Sequence, residues 1–456
     1  MAVWKPKVQK KTVVYDGFCA YESDKKNILG AEESCNCDCE NGVLTTGFGV
    51  TPYVSLYGTV PTINQSEKLS WIFQHIGLSS DKLSYLDQTC YMTARGALYL
   101  LNLATGGFKS KSVFAPNTVP ETIVKRSLEA KTAFVGEKGV AIMNVSEAIS
   151  ATTIKNAYPA VAYFKNRLFI GVGPCTLVYS NPETETAFTE TGDNSGRISF
   201  SERMGKIEAI RALGNFLYVL FEYGIVRLDV GGGGRDFKVT ILTYAGEKIF
   251  GRSACVCGNA IFFLTEGGVY RFDGTREIAE KVCEGLRIKP LKSTQLCGRA
   301  SVDGKYMVRY LDESDTKRVA VITADGKSGY YTGGDLDGLW GNDGKAYCRV
   351  DNMIQYVDPS GDLPSGEEYR FVTRWLDFGS SKKKTLRTLR FEGSGSFTLT
   401  VENGKKSKEK KIQFVDGKAE IRLDDAGTLF RLRFVLDKGA EVSKMAAETE
   451  TLKNVK

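Results

Sequence analysis

Three cysteines, Cys35, Cys37 and Cys39, occupy alternate positions in the stretch ESCNCDCENG. Thiolates are zinc ligands, and Cys19 would supply a fourth sulfur. On a strand, alternate residues share one face roughly 6.5–7 Å apart, which is too far for disulfides between them and unfavourable for one tetrahedral ion. The spacing favours three packed thiols on one face of a short strand; a metal site, or a redox or inter-subunit role, is the alternative.

The chain contains a single histidine, His75, in WIFQHIGLSS. Ser/His/Asp and Cys/His catalytic sites and multi-histidine metal sites would all have to use it, which disfavours those classes of enzyme. Its apolar neighbours predict a short helix over Glu67–Ile76, with His75 packed or at the surface. We predict no catalytic, cofactor-binding or metal-binding residue and no enzymatic activity.

Three further motifs resemble ligand-binding sites, but a purely structural role explains each of them better. GGDLDGLWGNDG places Asp335, Asp337 and Asp343 in a glycine-rich loop, but Leu339 stands where a calcium loop needs its third ligand, so we expect a plain Asp-Gly turn. VGGGGRDF precedes no helix, as a phosphate or dinucleotide site would require, and is interpreted as a loop between repeats. CVC at Cys255–Cys257 is interpreted as core.

The elements that must position these residues are strands. Of 456 residues, 48 are glycine, 11 are proline and 11% are aromatic, and short β-branched and aromatic runs alternate with Gly, Asn and Asp turns. Helical periodicity is confined to Glu67–Ile76 and Ala440–Leu452. No apolar run reaches membrane-spanning length, we expect no export signal, and eleven scattered cysteines indicate a reducing compartment.

One phrase recurs along the chain: an apolar strand, a tight turn and a second apolar strand. Copies start at Ala160, Ala209, Ser253, Ala300 and Gly338, and earlier copies start at Ser84 and Thr132. The middle copies lie roughly 45 residues apart, which is the length of a four-stranded propeller blade. Gly214-Asn215, Gly258-Asn259 and Asp303-Gly304 are predicted hairpin turns.

The sequence therefore predicts an all-β protein, a β-propeller of six or seven blades followed by a small C-terminal antiparallel β-sandwich. We place an N-terminal arm at 1–56, with strands after the Asn41-Gly42 turn, and the propeller at 57–361. The sandwich is placed at 367–440, where Phe397, Leu399 and Val401 alternate with polar residues. Residues 441–456 are predicted to be a polar, fraying tail.

The net charge is +7, and the segment 367–456 carries 20 Lys/Arg against 14 Asp/Glu. Its dense patches are SSKKKTLR and NGKKSKEKK. We interpret both patches as the solvated face of the C-terminal domain, with contact to a polyanion such as DNA as the alternative.

The most specific phrases lie between Ala160 and Asp229, NRLFIGVGPCTLVYSNPETETAF followed by ISFSERMGKIEAIRALGNFLYVLFEYGIVRL. They resemble β-propeller virion proteins of tailed bacteriophages, of the tail nozzle, tail tubular or tail-stabilisation type. TRWLDFGSSKKKTLRTLRFEGSGSFTLTV resembles the small β-domain of related tail components. The resemblance implies a homo-oligomeric ring, hexameric in form, below the head-to-tail adaptor and around the DNA exit channel.

The leading hypothesis is thus a structural virion protein of a phage tail, assembled in the host cytoplasm, with tail proteins and passing DNA as partners and no membrane insertion or cofactor. A tail-tip or surface module that binds a host glycan or receptor is the alternative. A propeller glycosidase is a further alternative, for which two close carboxylates in a central pocket would be needed.

Overall fold

A computed structural model gives the fold of residues 8–20, 27–54, 58–78, 85–102, 105–123, 130–182, 184, 187–188, 195–231, 237–242, 244, 246–275, 279–283, 298–312, 316–342 and 344–452. In this part of the chain the regular structure is all β apart from two three-residue 3-10 turns, Glu40–Gly42 and Glu202–Met204. Within the same residues no helix is long and apolar enough to cross a membrane.

The first half of the chain contributes twenty strands to the described structure. They are β1 Val8–Tyr15, β2 Gly17–Cys19, β3 Ile28–Cys35, β4 Cys37–Asp38, β5 Leu44–Thr46, β6 Gly49–Pro52, β7 Leu69–Leu78, β8 Tyr85–Thr93, β9 Ala97–Leu101, β10 Phe108–Val113, β11 Val119–Ile123, β12 Lys131–Gly136, β13 Gly139–Asn144, β14 Ile149–Ala151, β15 Ala157–Phe164, β16 Arg167–Val172, β17 Thr176–Tyr179, β18 Gly196–Ser199, β19 Ile207–Leu213 and β20 Phe216–Phe221.

The second half contributes twenty more to the described residues. They are β21 Gly224–Val230, β22 Phe237–Leu242, β23 Ile249–Cys257, β24 Ala260–Thr265, β25 Gly268–Phe272, β26 Glu280–Val282, β27 Arg299–Val302, β28 Lys305–Leu311, β29 Lys317–Thr323, β30 Gly329–Tyr331, β31 Asp337–Asn342, β32 Lys345–Val350, β33 Met353–Asp358, β34 Tyr369–Thr373, β35 Lys384–Ser394, β36 Ser396–Glu402, β37 Ser407–Gln413, β38 Lys418–Gly427, β39 Arg431–Leu436 and β40 Glu441–Leu452.

The chain divides into two compact units. Unit 1 combines Met1–Gly49, Asp325–Gly334 and Pro359–Lys456, and unit 2 combines Val50–Ala324 with Asp335–Asp358. The N-terminal residues therefore belong to the same unit as the C-terminal strands, whereas the sequence had indicated a separate arm over 1–56.

Unit 2 is a series of antiparallel sheets that follow one another along the chain. β7–β10, β11–β14, β15–β18, β19–β22 and β23–β26 each form a four-stranded meander. β27–β29 and β31–β33 continue the series, and β6 joins the edge of β33. The predicted hairpin turns are confirmed, because Leu213 pairs with Phe216, Cys257 with Ala260 and Val302 with Lys305.

From the second sheet of unit 2 onward, the first strand of each sheet packs against the first strand of the next. β11 contacts β15, and the contacts continue through β19, β23 and β27 to β31. β31 in turn packs on β7, and the Trp71 indole of β7 donates to the carbonyl of Thr118, which precedes β11, at 2.8 Å. The sheets thus close a cycle, an arrangement consistent with a β-propeller.

Five of the recurring phrases begin on first strands, at β15, β19, β23, β27 and β31. The two earlier ones cover the second and third strands instead, β8–β9 and β12–β13. An apolar hairpin looks the same at either place in a meander, so the phrase alone does not fix its position within a sheet.

Unit 1 contains two groups of paired strands. The first has the order β38-β35-β40-β5-β4, with β1 paired to β40, and the second includes β37-β36-β39-β34-β3. Phe391 of β35 contacts Phe397 of β36 and Phe434 of β39, at ring-centroid distances of 5.3 and 6.0 Å. Phe397, Leu399 and Val401 are buried, which confirms the alternation in this segment.

The two predicted helices are wrong. Glu67–Ile76 falls largely on β7, and Ala440–Leu452 on β40. The predicted fraying tail over 441–456 is also wrong as far as Leu452. Residues Met445–Leu452 belong to β40 and pair with Val8–Tyr15 along the whole length of β1. Pairing partners distant in sequence override the local helix preference of both segments.

Candidate functional site

His75 lies fully buried on β7, so it is packed as expected, though on a strand. Its Nδ1 is 2.9 Å from the Thr132 hydroxyl and its Nε2 is 3.1 Å from the Asn144 carbonyl oxygen. A neutral ring satisfies both, with Nε2–H donating to the carbonyl and Nδ1 accepting from the hydroxyl. Burial lowers the pKa of His75 to about 4, so the imidazole acts as a neutral bridge between β7 and the next sheet.

Acid is expected to destabilise the protein through His75. The folded-state pKa of about 4 is below the ordinary 6.5, so the unfolded chain binds this proton first and stability falls as pH drops from about 6.5 towards 4. The full loss amounts to about 3 kcal/mol. Urea unfolding at pH 7 and pH 4.5 should show a smaller pH-dependent loss in His75→Gln than in wild type, whereas equal losses would contradict the assignment.

The three alternate cysteines are buried, as expected, but they do not share one face of a strand. Asn36 has a φ of 58°, which ends β3 at Cys35 and starts β4 at Cys37. Ser34, Asn36 and Asp38 are buried as well, so alternation is lost. Burial raises the pKa of the Cys37 and Cys39 thiols, which keeps both protonated. Among the described residues no group of three or more His, Cys, Asp or Glu is placed to hold a metal ion.

Asn36 makes this buried segment a junction within unit 1. Its backbone N–H donates to the Tyr331 carbonyl at 2.6 Å, and its carbonyl accepts from Gly47 at 2.7 Å. Its side-chain amide donates to the Glu368 carbonyl at 3.0 Å and accepts from the Gly333 N–H at 2.9 Å. The polar residues between the cysteines therefore tie segments together, and the cysteines fill the space around them.

Asp335 and Asp337 are paired with arginines rather than arranged as calcium ligands. Arg309 holds Asp335 through two bonds of 2.6 and 2.7 Å, and its Nη2 lies 2.8 Å from Asp337. Arg349 contacts the other oxygen of Asp337 at 2.5 Å. Asp343 lies outside the described residues. The loop thus supplies the carboxylates of a partly buried ion-pair network. The sequence predicted only an Asp-Gly turn here and no ion pairs.

Two other sequence motifs are structural. Cys255 and Cys257 are fully buried on β23, which confirms their interpretation as core. The glycine-rich segment Val230–Phe237 connects β21 to β22 within one sheet, so it is not a loop between repeats. Its residues 232–236 lie outside the described part of the chain.

The lysine-rich patches have different surroundings. NGKKSKEKK leads into β37, whose lysines 408, 410 and 411 are exposed on the outermost strand of its sheet. SSKKKTLR is only partly a solvated face, because Lys384 is buried, donates to the Thr428 carbonyl and lies 6.0 Å from the Phe430 ring centroid. Its burial lowers the pKa of Lys384.

The first strands of unit 2 also bring together a group of charged and aromatic residues that no sequence motif indicated. This arginine cluster consists of Arg211, Arg252 and Arg299 with Glu121, Trp71 and Trp340, on six different first strands. The Arg252 guanidinium lies 4.1 Å from the ring centroid of Trp71, and the Arg299 guanidinium lies 4.1 Å from the ring centroid of Trp340. The ring centroids of the two tryptophans are 4.3 Å apart. Arg299 and Trp340 are direct partners in the β27–β31 pair.

Burial is the largest influence on the pKa values of Arg211 and Glu121 in this cluster. Burial and the charge of Arg299 lower the pKa of Arg211 to about 9. Burial also raises the pKa of Glu121, although Arg211 and Arg299 oppose the rise and the Tyr163 backbone N–H donates to this carboxyl group. The side chains of Arg211 and Glu121 are partly accessible to water, whereas Arg299 and Trp71 are fully buried.

A cavity of about 250 Å³ adjoins the cluster at Arg252. Lys206, Glu208 and Lys248 also line it, near the starts of β19 and β23. These strands approach closely there, since a Cβ on Gly251 would lie 2.0 Å from the Glu208 carbonyl oxygen. Glu208 pairs with Lys206 at 3.3 Å, and Lys248 pairs with Glu222 at 2.9 Å. Glu137 lines the cavity as well, and Arg252 Nη1 donates to the Asn117 side-chain oxygen at 3.1 Å.

Scans of the sequence against protein-family models and against curated proteins give no match. Among solved structures, Raptor from Chaetomium thermophilum is similar with a TM-score of 0.46 and 12% identity, over 69% of this chain and 29% of Raptor. BamB from Moraxella catarrhalis has a TM-score of 0.39 and 13% identity, over 77% of this chain and 99% of BamB. U3-55K has a TM-score of 0.41 and 8% identity, over 65% of this chain and 97% of U3-55K. The chain thus spans less than a third of Raptor's length, and at these scores no functional property is transferred.

Proposed function

We propose that unit 2 is a seven-bladed β-propeller and that unit 1 is a β-sandwich. Support for the blade number comes from the cyclic packing of seven first strands, β7, β11, β15, β19, β23, β27 and β31, in the described residues. Pairing of β6 with β33 joins an early strand to the last of these sheets, the usual way of closing such a ring. Support for the sandwich comes from the phenylalanine contacts between its two groups of strands.

We further propose that the protein is a non-enzymatic structural component of a tailed-bacteriophage particle. Copies form a ring, a hexamer in the family that the sequence resembles, below the head-to-tail adaptor and around the DNA exit channel. Its role is geometric: rigid β units present fixed surfaces to neighbouring copies and close the ring through heterologous contacts. Loops that face the lumen narrow the path of the DNA.

The observation that carries this proposal is the pairing between strands that lie far apart in sequence. Val8–Tyr15 and Met445–Leu452 form one continuous antiparallel pair. β40 also pairs with β35 along its opposite side. A ring subunit that bears tension during DNA ejection needs sheets that resist peeling, and a strand paired along both of its sides supports such a role.

The edge strand β37 gives a second line of support. It carries lysines 408, 410 and 411 on the outermost position of its sheet. Lys408 pairs with Asp425 at 2.8 Å and Lys411 with Asp437 at 3.3 Å, while Lys410 donates to the Arg422 carbonyl at 3.0 Å. Lysines on an edge discourage pairing with another sheet edge, which suits a subunit that must assemble in one geometry.

The test is the mass of the purified protein in solution together with electron microscopy of the protein and of the phage particle. We expect a closed ring with a central lumen, and binding of duplex DNA that weakens as salt is raised.

Two outcomes would overturn the proposal. A monomer at micromolar concentration that binds a host polysaccharide, and that is absent from the tail axis in particles, would identify a surface-binding module. Turnover of a glycan that is abolished by one Asp or Glu substitution in unit 2 would identify an enzyme.

A further inference from the structure

Two lysine-rich patches of the sequence meet at one open groove of unit 1. Lys383 belongs to SSKKKTLR and lies just before β35, whereas Lys405 belongs to NGKKSKEKK and lies in the turn between β36 and β37. Both lysines are exposed, and both line a groove of about 520 Å³, a volume within the usual range of small-ligand sites. The fold therefore brings positive charge from both patches to one place.

The apolar part of this groove consists of an exposed tryptophan and an exposed leucine. Trp375 is 42% exposed and Leu429 is 41% exposed, and both line the groove. Two backbone hydrogen bonds between Leu376 and Phe430, at 2.6 and 2.9 Å, place these side chains on adjacent segments. An indole left this accessible presents a flat apolar face and a polar N–H edge, which suits a ring-shaped ligand that has both apolar and polar groups.

Hydrogen bonds fix the segments around the groove to one another. The Lys384 ammonium is buried and donates to the Thr428 carbonyl, which anchors the segment before β39 to the start of β35. The Asn403 side-chain amide donates to the Ala426 carbonyl at 3.4 Å, so the turn between β36 and β37 is tied to the end of β38. A Cβ on Gly427 would lie 3.2 Å from the Asn403 side chain, so these segments also pack closely. The groove is thus a fixed feature of unit 1.

No carboxylate neutralises the lysines at this groove within the described residues. The lining found there contains no Asp or Glu, and neither Lys383 nor Lys405 has an ion-pair partner in this part of the chain. Two positive charges at an apolar surface favour a ligand that carries negative charge.

The acidic residues that neighbour the groove in sequence each lie close to another cation. The groups are Asp424 with Arg387, Asp425 with Lys408, Asp377 with Lys384, and Glu402 with Arg431 and Arg433. The positive charge of Lys383 and Lys405 is therefore available to a ligand.

A nucleic acid strand fits this groove less well than an acidic sugar does. Single strands are bound along a continuous basic track with successive aromatic platforms. Trp375 is the one aromatic residue in the lining formed by the described chain. Along β37 the basic track stops, because the ammonium groups of Lys408 and Lys410 are bonded to groups of β38.

The turn between β36 and β37 also disfavours a phosphate. Phosphates are commonly bound by free backbone N–H groups or by arginine side chains. Among the described residues no arginine lines the groove. The N–H groups of Lys405 and Lys406 donate to Asn403 Oδ1, at 3.1 and 2.9 Å. Lysine ammonium groups act as separate point charges, which is sufficient for a carboxylate on an exposed ring.

We propose that this groove of unit 1 binds an acidic sugar unit, a hexuronate, within a polysaccharide. The sugar ring stacks on Trp375 and contacts Leu429, while Lys383 and Lys405 attract its carboxylate. The Thr428 hydroxyl, at the same groove, hydrogen-bonds a sugar hydroxyl. All of these residues belong to unit 1 of a single chain, so the site does not require the proposed ring.

Titration calorimetry with the full chain at pH 7 and low salt tests the site. Trigalacturonate and a hyaluronan tetrasaccharide are the acidic probes, and maltotriose is the neutral one. We expect both acidic probes to bind, with an affinity that falls as salt is raised, and maltotriose to bind at least about tenfold more weakly. Absence of binding to both acidic probes, or equal binding of maltotriose, would overturn the proposal.

A short oligothymidylate is the competing probe for a nucleic acid site. We expect it to bind more weakly than trigalacturonate at the same salt concentration. Tighter binding of the oligothymidylate, lost in Trp375→Ala, would identify the groove as a nucleic acid site and overturn the proposal.

Substitutions at the groove locate the binding. Trp375→Ala should weaken trigalacturonate binding about tenfold, and Lys383→Gln and Lys405→Gln about threefold each. Lys382→Gln and Lys406→Gln are the matched controls, since both lysines are exposed and adjacent in sequence but do not line the groove. Equal weakening in the controls would indicate diffuse attraction and contradict the assignment, and this comparison holds even if Trp375→Ala failed to fold.

Discussion

Deletion of residues 441–456 is expected to abolish the folded state of unit 1, because it removes the strand around which its first sheet is built. β40 pairs with β35 on one side and with β1 and β5 on the other. Val442, Met445 and Ala447 of this strand are buried. Losing these ladders and side chains together exceeds the roughly 5–15 kcal/mol that ordinarily stabilises a domain.

The shorter deletion of residues 453–456 is the control, since it retains all of β40. Limited proteolysis followed by mass spectrometry would compare the two proteins. The longer deletion should expose sites within Val8–Tyr15 and β35 to rapid cleavage, whereas the control should be cleaved like the full chain. Equal resistance of the two would mean that the pairing of β1 and β35 with β40 does not stabilise unit 1.

The sequence misrepresents this strand for a physical reason. EVSKMAAETETL is rich in residues with high helix propensity and carries little β-branched character. Its strand conformation depends on partners more than 390 positions away, such as Ala447 opposite Val13, and a single sequence gives no signal of such pairing. Leu399 and its neighbours were predictable because they alternate locally and lie between well-formed turns.

The candidate site was missed for a related reason. Each of its members lies in a different repeat, so no two of them are close in sequence. When the repeats are aligned on their hairpin turns, Leu213, Cys257 and Val302 coincide, but Arg211, Arg252 and Arg299 fall at three different positions before them. No single column of polar residues therefore marks the cluster. The phase of the earliest copies was also ambiguous, which obscured Trp71 and Glu121. The break at Asn36 was equally hidden, because a positive φ in a short segment depends on the tertiary bonds that stabilise it.

Arg309→Met is expected to destabilise unit 2 by about 3–5 kcal/mol, the usual cost of removing one partner of a buried ion pair. The Arg309 side chain is almost fully buried, and it faces both Asp335 and Asp337. Without it the two carboxylates repel each other, and only Lys317 at 3.5 Å and Arg349 remain among the ion-pair partners found for them. Methionine preserves most of the aliphatic stem, so the effect reports on charge rather than on a cavity.

Arg318→Met is the matched control on the adjacent strand β29. Arg318 pairs with Asp312 at 2.8 Å but is far more exposed, and such pairs contribute less than about 1 kcal/mol. Adding Asp337→Asn to Arg309→Met should recover part of the loss in urea unfolding, because it removes one of the repelling carboxylates. If the double variant had a lower free energy of unfolding than Arg309→Met, the pairing with Arg349 alone would account for how Asp337 is held. The acidic loop would then be held from β32 and not from β28, so the network would not join two neighbouring sheets.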